Sequence, residues 1–225
     1  MIRRDYILRM VEEFVQLLAR LKSLKQEQRW DEAGGTLDEQ FNRLVGADAH
    51  AVVQLSEIEL LAKLIQGEPT VAVKDRALIL VSLLKEAGDV AIGQEKFEES
   101  RTYYLKGLHL LLETLARGEA YECPEFVPRV EMFVTALHES PMPFQTQGLL
   151  MQHYERTREF AKAEDALFAM LDIELNNPAL LDFGISFYQR LQDQSDAVLI
   201  EGNLPRVEVE AGLTDLRGRK AALAA

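Results

Sequence analysis

The sequence has a single cysteine, few prolines and no long uncharged apolar run. Cys123 stands alone among 225 residues, so no disulfide can form within the chain. A lone cysteine favours a reducing compartment, and we expect a cytoplasmic location. No window approaches the roughly 18 uncharged apolar residues of a membrane span. Charges also interrupt the opening segment, MIRRDYILRMVEEF, which therefore does not resemble a secretory signal. The composition predicts a protein with no membrane partner.

Basic residues are scarce relative to acidic ones. The chain carries 37 acidic and 25 basic side chains, a formal net charge of −12. Residues 1–30 hold 7 basic and 4 acidic side chains, whereas residues 31–201 hold 14 and 30. A body this acidic repels phosphates, so we do not expect nucleic acid as a partner. The four arginines within the first 20 residues form a basic patch that could bind a partner or dock on the acidic body.

Motifs that mark catalytic, metal or nucleotide sites are also missing. The chain contains no GxSxG, no GxGxxG and no phosphate-binding loop, and its four histidines have no zinc spacing. His109 and Glu113 lie four residues apart on a predicted helix and could share a face, but two ligands do not make a metal site. We therefore predict that the protein is not an enzyme and has no cofactor or metal.

What the sequence does contain is a helical pattern. Between the Pro and Gly residues, apolar side chains recur every three or four positions, and alternating β-type runs are absent. This predicts an all-α fold of about nine to eleven helices in a single domain, residues 1–225, with intervening helices at about 48–66 and 124–139. Asn177 before Pro178 predicts an N-cap followed by the first helical residue. We expect the small, basic tail, residues 217–225, to fray.

An amphipathic helix is predicted for residues 1–28. Its apolar residues fall on a and d positions of a heptad, and others widen the stripe beyond that seam. The heptad positions are Ile7, Met10, Phe14, Leu17, Leu21 and Leu24. A wide stripe favours a helix packed on its own chain, and a dimer seam is the alternative. An Ile7→Glu, Phe14→Glu double variant would separate the two interpretations. A folded monomer would support the dimer seam, and an unfolded product would mean that the stripe packs in the core of its own chain.

Three segments share an aromatic residue, a small residue three positions on, and a large residue four positions further. The triplets are Trp30/Ala33/Leu37, Phe97/Ser100/Tyr104 and Phe160/Ala163/Leu167. The pattern resembles the second helix of a tetratricopeptide repeat, in which the small residue lets two helices approach closely. Its anchors are 67 and 63 residues apart, near twice the 34-residue period of that repeat.

The segments DYILRMVEEF and KAEDALFAML also resemble an uncharacterised bacterial family of unknown function. The two resemblances imply a tetratricopeptide-like superhelix of stacked helical hairpins and a bacterial, cytoplasmic origin, but no activity. Some tetratricopeptide proteins hold a C-terminal carboxylate on their concave face. The resemblance carries the first of those positions onto Leu18, Lys85 and Gly148 and the next onto Lys22, Asp89 and Gln152. At the first position only Lys85 is basic, and Asp89 one turn on would repel a carboxylate. Lys85, Asp89 and Gln152 are therefore candidates for contacting some other partner.

Our leading hypothesis is a non-catalytic interaction module, or scaffold, for an unidentified protein or peptide. The first alternative is a small-molecule-binding protein or an enzyme, with a pocket between hairpins lined by Tyr103, His109 and His153. The second alternative is a structural homodimer through the first helix. Each makes a different prediction: an open groove, a deep pocket with converging polar groups, or a seam between two copies.

Overall fold

A computed structural model describes residues 2–65, 70–117, 123–138, 140–175 and 177–223, within which the side chains of 2–7, 57 and 70–72 are left aside. The described part is all-α, with twelve helices and no strand. The class is as predicted, and the number of helices exceeds the predicted nine to eleven. Backbone contacts divide the chain into two compact units, Met1–Pro141 and Met142–Ala225, where the sequence predicts one domain.

Seven helices make up the first unit. They are α1 (Ile2–Gln26), α2 (Trp30–Val45), α3 (Ala49–Gln54), α4 (Glu57–Ile65), α5 (Thr70–Gly93), α6 (Phe97–Ala116) and α7 (Val130–Ala136). Helix α5 is the centre of the unit and packs against α1, α2, α4 and α6. Its middle turns are apolar on every side, and Leu78, Val81 and Leu84 are fully buried, because neighbouring helices cover most of its surface.

Five helices make up the second unit. They are α8 (Phe144–Arg156), α9 (Phe160–Ile173), α10 (Pro178–Gln192), α11 (Asp196–Glu201) and α12 (Arg206–Leu223). Helix α8 packs on α9, and α10 packs on both α9 and α12. The predicted N-cap is confirmed, since the Asn177 side chain accepts hydrogen bonds from the backbone N–H groups of Ala179 and Leu180 at 2.9 and 3.3 Å.

Two of the predicted helices differ from those in the structure, and each difference has a local cause. The segment predicted as one helix at about 48–66 is broken into α3 and α4 at Leu55, whose backbone is extended. Ser56 then starts α4 with a capping box, because its backbone N–H donates to the Glu59 carboxylate at 2.8 Å and its hydroxyl accepts from the Glu59 N–H at 3.3 Å. The helix predicted at about 124–139 is shorter and begins only at Val130, after Pro128.

Four connections between helices have the same geometry. They join α1 to α2, α5 to α6, α8 to α9 and α11 to α12. In each, one residue has a left-handed backbone with φ between 57° and 63°: Gln28, Glu95, Arg158 and Asn203. The next residue donates its N–H to the carbonyl five positions back, at 2.8 to 3.0 Å. This is the Schellman arrangement, which ends one helix and turns the chain back, so each pair is a hairpin.

The predicted triplets occupy the second helix of three of these hairpins. The small residues Ala33, Ser100 and Ala163 are at most 2% exposed, and the large residues that follow them are buried as well. The aromatic positions differ, since Phe160 is 3% exposed and Phe97 is 65% exposed. The fourth hairpin, α11–α12, has no such triplet, so the sequence pattern does not reveal it.

The stripe of α1 divides into two parts. Towards the C-terminal end, Leu21 and Leu24 are buried, as is Phe14, whose ring meets Phe126 edge to face at 5.4 Å between centroids. Met10 and Leu17 remain partly exposed. The Ile7 side chain lies outside the described residues. The stripe therefore packs within its own unit at one end and leaves apolar surface at the other.

The tail predicted to fray is helical as far as Leu223, the last residue described. Two contacts fix α12 to its own unit: Lys220 forms an ion pair with Asp182, and the Arg219 guanidinium lies 5.7 Å from the centre of the Phe168 ring. Sequence analysis missed these partners because they belong to α9 and α10. In the part of the chain that the structure describes, no helix has the length and apolarity needed to cross a membrane.

Candidate functional site

Lys85 and Asp89, two of the residues predicted to contact a partner, meet inside the first unit. They lie one turn apart on α5, with Lys85 Nζ 2.7 Å from Asp89 Oδ2. Lys25 of α1 reaches Asp89 and Glu86, each at 2.5 Å. The Tyr104 hydroxyl donates to the other oxygen of Asp89 at 2.9 Å. These side chains form a half-buried ion cluster that ties α1, α5 and α6 together.

Charge pairing controls the protonation of this cluster. Burial alone raises the pKa of Asp89, but hydrogen bonds from Lys25 and Lys85 outweigh it, so the pKa lies below its usual value. Burial alone lowers the pKa of Lys85, but the neighbouring Glu86 and Asp89 raise it overall. Both ionised forms are favoured by their partners, so Lys85 and Asp89 stay charged at neutral pH.

The other predicted residues do not join this cluster. Gln152, the third candidate, is exposed on α8 in the second unit. His109 lies 3.6 Å from the Glu113 carboxylate on the same face of α6, an ion pair only when the histidine is protonated. His153 belongs to the second unit, where its ring lies 5.7 Å from that of Tyr154. A partner-binding role of Lys85, Asp89 and Gln152 stays a prediction.

A larger opening lies between α1, α2 and α5. We call it the arginine groove; its volume is about 630 Å³. Its floor is apolar and consists of Met10, Phe14, Leu17, Leu44, Ile79 and Leu83. Four arginines line it as well: Arg9, Arg20, Arg43 and Arg76. Glu13 is the one acidic residue of the lining. Apolar floor and cationic side chains thus occur in one cavity.

The arginines of this groove differ in what they already bind. Arg76 donates to the Leu44 carbonyl at 2.6 Å, which fixes its side chain against α2. Arg43, 68% exposed, pairs with Glu13 at 2.7 Å. Arg9 and Arg20 are exposed and make no ion pair with any residue that the structure describes. Two guanidinium groups are therefore available to a ligand, and an exposed pair such as Arg43–Glu13 is weak enough to be exchanged.

A second, smaller opening lies between α2, α5 and α6. We call it the glycine groove; its volume is about 290 Å³. Helix α2 contributes Asp31, Gly34, Gly35 and Asp38, and α5 contributes Ala87, Val90 and Ala91, each set at the spacing of one helix face. Helix α6 adds Glu99 and Tyr103, and the connection between α5 and α6 adds Gln94 and Lys96. Gly34 and Gly35 lie inside α2 and form part of this lining.

Tyr103 was predicted to line a pocket, and it lies in the glycine groove. The residue is 5% exposed. Burial raises the pKa of its hydroxyl, and the carboxylates of Glu99, Asp38 and Asp48 raise it further, so the hydroxyl stays protonated. His109 and His153, predicted beside it, do not line this groove. The sequence shows that Asp31, Gly34, Gly35 and Asp38 share one face of α2, but it does not show that α5 and α6 pack opposite that face.

The described residues offer binding surfaces more readily than reactive groups. Within the described ranges, no three His, Cys, Asp or Glu side chains lie close enough to hold a metal ion. Cys123 is exposed as a residue, but its thiol is partly shielded from water. This partial burial raises the pKa of the thiol and disfavours the reactive thiolate. Of the four histidines, only His50 lines a groove, the glycine groove. The two grooves are thus the candidate sites, and both suit recognition.

Comparison with known proteins places the chain in a family without assigning an activity. Neither a curated protein nor a solved structure matches it. Residues 1–220 match the model of one family, described as a family of unknown function, DUF6483. This agrees with the resemblance of the opening segment to an uncharacterised family. Since the match spans nearly the whole sequence, the chain belongs to DUF6483, a family of unknown function.

Proposed function

We propose that the protein is a non-catalytic interaction module that binds an acidic amphipathic helix of a partner protein in the arginine groove. The observation that supports this most is the pairing of an apolar floor with four arginines in one open cavity. An amphipathic helix offers the complementary surface, an apolar stripe flanked by charges. Its carboxylates would pair with guanidinium groups, which bind carboxylates with two parallel hydrogen bonds.

The size of the groove supports a helix as the occupant. Its lining on α1 runs from Arg9 to Arg20, twelve residues, which corresponds to about 16 Å along a helix. A partner helix of about three turns has this length. Three apolar side chains spaced by three and four residues would reach the floor around Phe14 and Leu83, as in other helix-in-groove complexes.

Charge supports an acidic occupant. The first unit carries 17 basic and 24 acidic side chains, a net charge of −7. The lining of the arginine groove departs from this, with four arginines and one glutamate. A nucleic acid is disfavoured because the rest of the unit repels phosphates. A short acidic segment can use the local positive charge without meeting the acidic remainder.

The setting of this function follows from the resemblances and the composition. The repeated hairpins support a tetratricopeptide-like superhelix, an arrangement that commonly binds peptides. The lone cysteine supports a reducing compartment, and we place the protein in the bacterial cytoplasm.

Site-specific photocrosslinking tests the proposal. A benzophenone amino acid replaces Leu17, in the arginine groove, and in a second variant Ala19, which is exposed on the same helix outside the groove. Both are expressed in the native host and irradiated in cells. We expect Leu17 to crosslink a different protein at a segment with acidic residues and a helical apolar stripe, and Ala19 not to do so.

A charge reversal provides the matched control. Arg20→Glu changes a cation of the groove, whereas Lys22→Glu makes the same change on α1 outside it. We expect Arg20→Glu to lower the crosslink yield about tenfold, equivalent to about 1.4 kcal/mol, and Lys22→Glu to leave it near wild type. Crosslinks from Leu17 only to a second copy of the chain would replace the proposal with the homodimer. Equal yields from both charge reversals would also contradict it.

A further inference from the structure

The glycine groove contains two glycines that its own packing does not explain. A glycine inside a helix costs stability relative to alanine, so a close contact is the usual reason for it. A Cβ added at Gly35 would find no atom within 4 Å, and one at Gly34 would find only the side chain of Gln94 at 3.9 Å. By contrast, a Cβ at Gly88 would lie 2.5 Å from the ring of Tyr104. Gly34 and Gly35 therefore leave the α2 backbone open towards the groove.

The hydroxyl of Tyr103 is an unused polar group at the same place. The residue as a whole is only 5% exposed. Its hydroxyl makes no hydrogen bond in the described part of the chain, whereas the hydroxyls of Tyr104 and Tyr188 each donate to a carboxylate. The residue lines the groove, so a ligand that enters it can supply a hydrogen-bond partner for this hydroxyl.

Negative charge surrounds this hydroxyl. Asp31, Asp38 and Glu99 line the groove, against Lys96 and the histidine His50. Part of this charge is already used, because Asp38 accepts a hydrogen bond from the Ala49 N–H at 2.9 Å and Asp31 one from Gln94 at 3.2 Å. Each carboxylate has a second oxygen, and an anionic ligand would be repelled.

We propose that the glycine groove is a binding site for a small organic cation, a primary ammonium or guanidinium compound. Its N–H groups would donate to the Tyr103 hydroxyl oxygen and to the carboxylates of Asp38 and Glu99. Its carbon chain would lie along the backbone of Gly34 and Gly35. The groove volume of about 290 Å³ suits a free small molecule better than a helix. This site is separate from the arginine groove and does not depend on the proposed function.

Titration of the full chain with matched small molecules, followed by the backbone NMR signals of Gly34 and Gly35, tests the proposal. Butylguanidinium and butylammonium are the cations, butylurea is the neutral control, and butyrate is the anion. We expect saturable shifts with both cations and at least tenfold weaker binding of butylurea and butyrate. A capped Gly-Arg-Gly peptide distinguishes the source, since tighter binding by the peptide would support the cation site but assign it to a protein side chain.

Variants separate this site from non-specific attraction. We expect Glu99→Gln and Tyr103→Phe each to weaken butylguanidinium binding about fivefold to tenfold, and Gly35→Leu to abolish it by filling the groove. Glu98→Gln removes the same charge from the neighbouring position of α6, outside the lining, and should change binding less than twofold. Thermal unfolding checks that each variant folds. Equal affinity for butylguanidinium and butylurea, equal effects of Glu99→Gln and Glu98→Gln, or no saturable shift would overturn the proposal.

Discussion

The two units contain the same kind of contact, a tyrosine ring against a glycine of a neighbouring helix. Tyr104 of α6 lies on Gly88 of α5, and Tyr188 of α10 lies on Gly212 of α12. A Cβ added at either glycine would meet the ring well inside the normal contact distance. In both units, the absence of a side chain lets two helices approach closely, and an aromatic ring fills the space beside them.

The charges around the two tyrosines differ. Tyr104 donates to Asp89, a carboxylate that also binds two lysines, and those hydrogen bonds hold the pKa of Asp89 below its usual value despite burial. Tyr188 donates to Glu164 at 2.5 Å, and no lysine or arginine of the described residues pairs with that carboxylate. Burial raises the pKa of Glu164, and nearby carboxylates, including that of Glu208, raise it further.

Similar packing thus accompanies opposite electrostatics. In the first unit, the ionised carboxylate is the favoured state because the charges of the two lysines offset the free energy lost by burying it. In the second unit, ionisation of the carboxylate is opposed by burial and by like charge. The tyrosine–glycine contact is therefore a packing device that works with either arrangement, while the charged neighbours decide whether the carboxyl group stabilises the fold at neutral pH.

The largest expected effect comes from filling the space beneath a ring. Gly212→Ala places a methyl group against Tyr188, and we expect it to lower the free energy of unfolding by about 3 kcal/mol. Gly88→Ala should do the same beneath Tyr104. Gly218→Ala is the matched control in α12, because its Cβ would find no atom within 4 Å, and it should gain about 1 kcal/mol. Denaturant unfolding measures all three, and a similar result at Gly212 and Gly218 would refute the packing role.

Removing one carboxylate charge from each unit should have effects of opposite sign. Asp89→Asn leaves Glu86 as the one anion for both Lys25 and Lys85, and we expect a loss of about 2 kcal/mol at neutral pH. Glu164→Gln keeps an acceptor for Tyr188 and removes an opposed charge, so we expect a gain of up to about 1 kcal/mol. Urea unfolding at pH 7 gives both values, and effects of the same sign would contradict the comparison.

Deleting each tyrosine hydroxyl ranks the two hydrogen bonds. Tyr188→Phe removes the donor of Glu164 and should cost about 1.5 kcal/mol. Tyr104→Phe leaves Asp89 with its two lysines, so its cost should be smaller, about 0.5 kcal/mol. In the Glu164→Gln background, Tyr188→Phe should cost clearly less than in the wild-type chain, because no charged carboxylate then loses its donor. Additive effects in that double variant would mean that the two side chains do not act through each other.

The packing just described could be predicted only in part from sequence. The period of the apolar residues gives the all-α class, and the triplets identify Ala33, Ser100 and Ala163 as close-packing positions, since both depend on local spacing. The ion cluster could not be predicted, because Lys25 and Asp89 are 64 residues apart and meet only when α1 packs on α5. The S-x-x-E capping box of Ser56 was a readable local signal that would have divided the helix at 48–66.

The candidate grooves show the same limit. The stripe of Asp31, Gly34, Gly35 and Asp38 is visible in the sequence as one face of a helix. Whether this face lines a cavity depends on which helices border it, and these are set by the packing of α2 on α5 and of α5 on α6. The arginine groove likewise requires α5 to bring Arg76 beside α1. Sequence periodicity predicts the faces of helices, whereas the cavities between them depend on tertiary packing.

The smallest effect, and the sharpest distinction between the units, is in their pH dependence. The pKa of Glu164 is raised in the folded chain, so its destabilising ionisation is complete above that folded value and disappears as the pH falls towards 4.5, the ordinary value for a glutamate. The pKa of Asp89 is lowered, so its stabilising ionisation is present above 3.8, the ordinary value for an aspartate, and is lost as the pH falls through the folded value. Acidification from neutral pH should therefore first favour the second unit and then, below about pH 4, disfavour the first.

Comparing each variant with wild type isolates these two groups from the other titrating residues. As the pH falls from 7 towards 4.5, the ordinary value for a glutamate, the advantage of Glu164→Gln over wild type should shrink, because protonation of Glu164 removes the charge that the variant lacks. The deficit of Asp89→Asn should stay constant over that range and shrink only below about pH 4. Urea unfolding at closely spaced pH values gives both differences. If the two differences changed over the same pH interval, the lysines would not distinguish the carboxyl groups, and the electrostatic contrast between the units would fail.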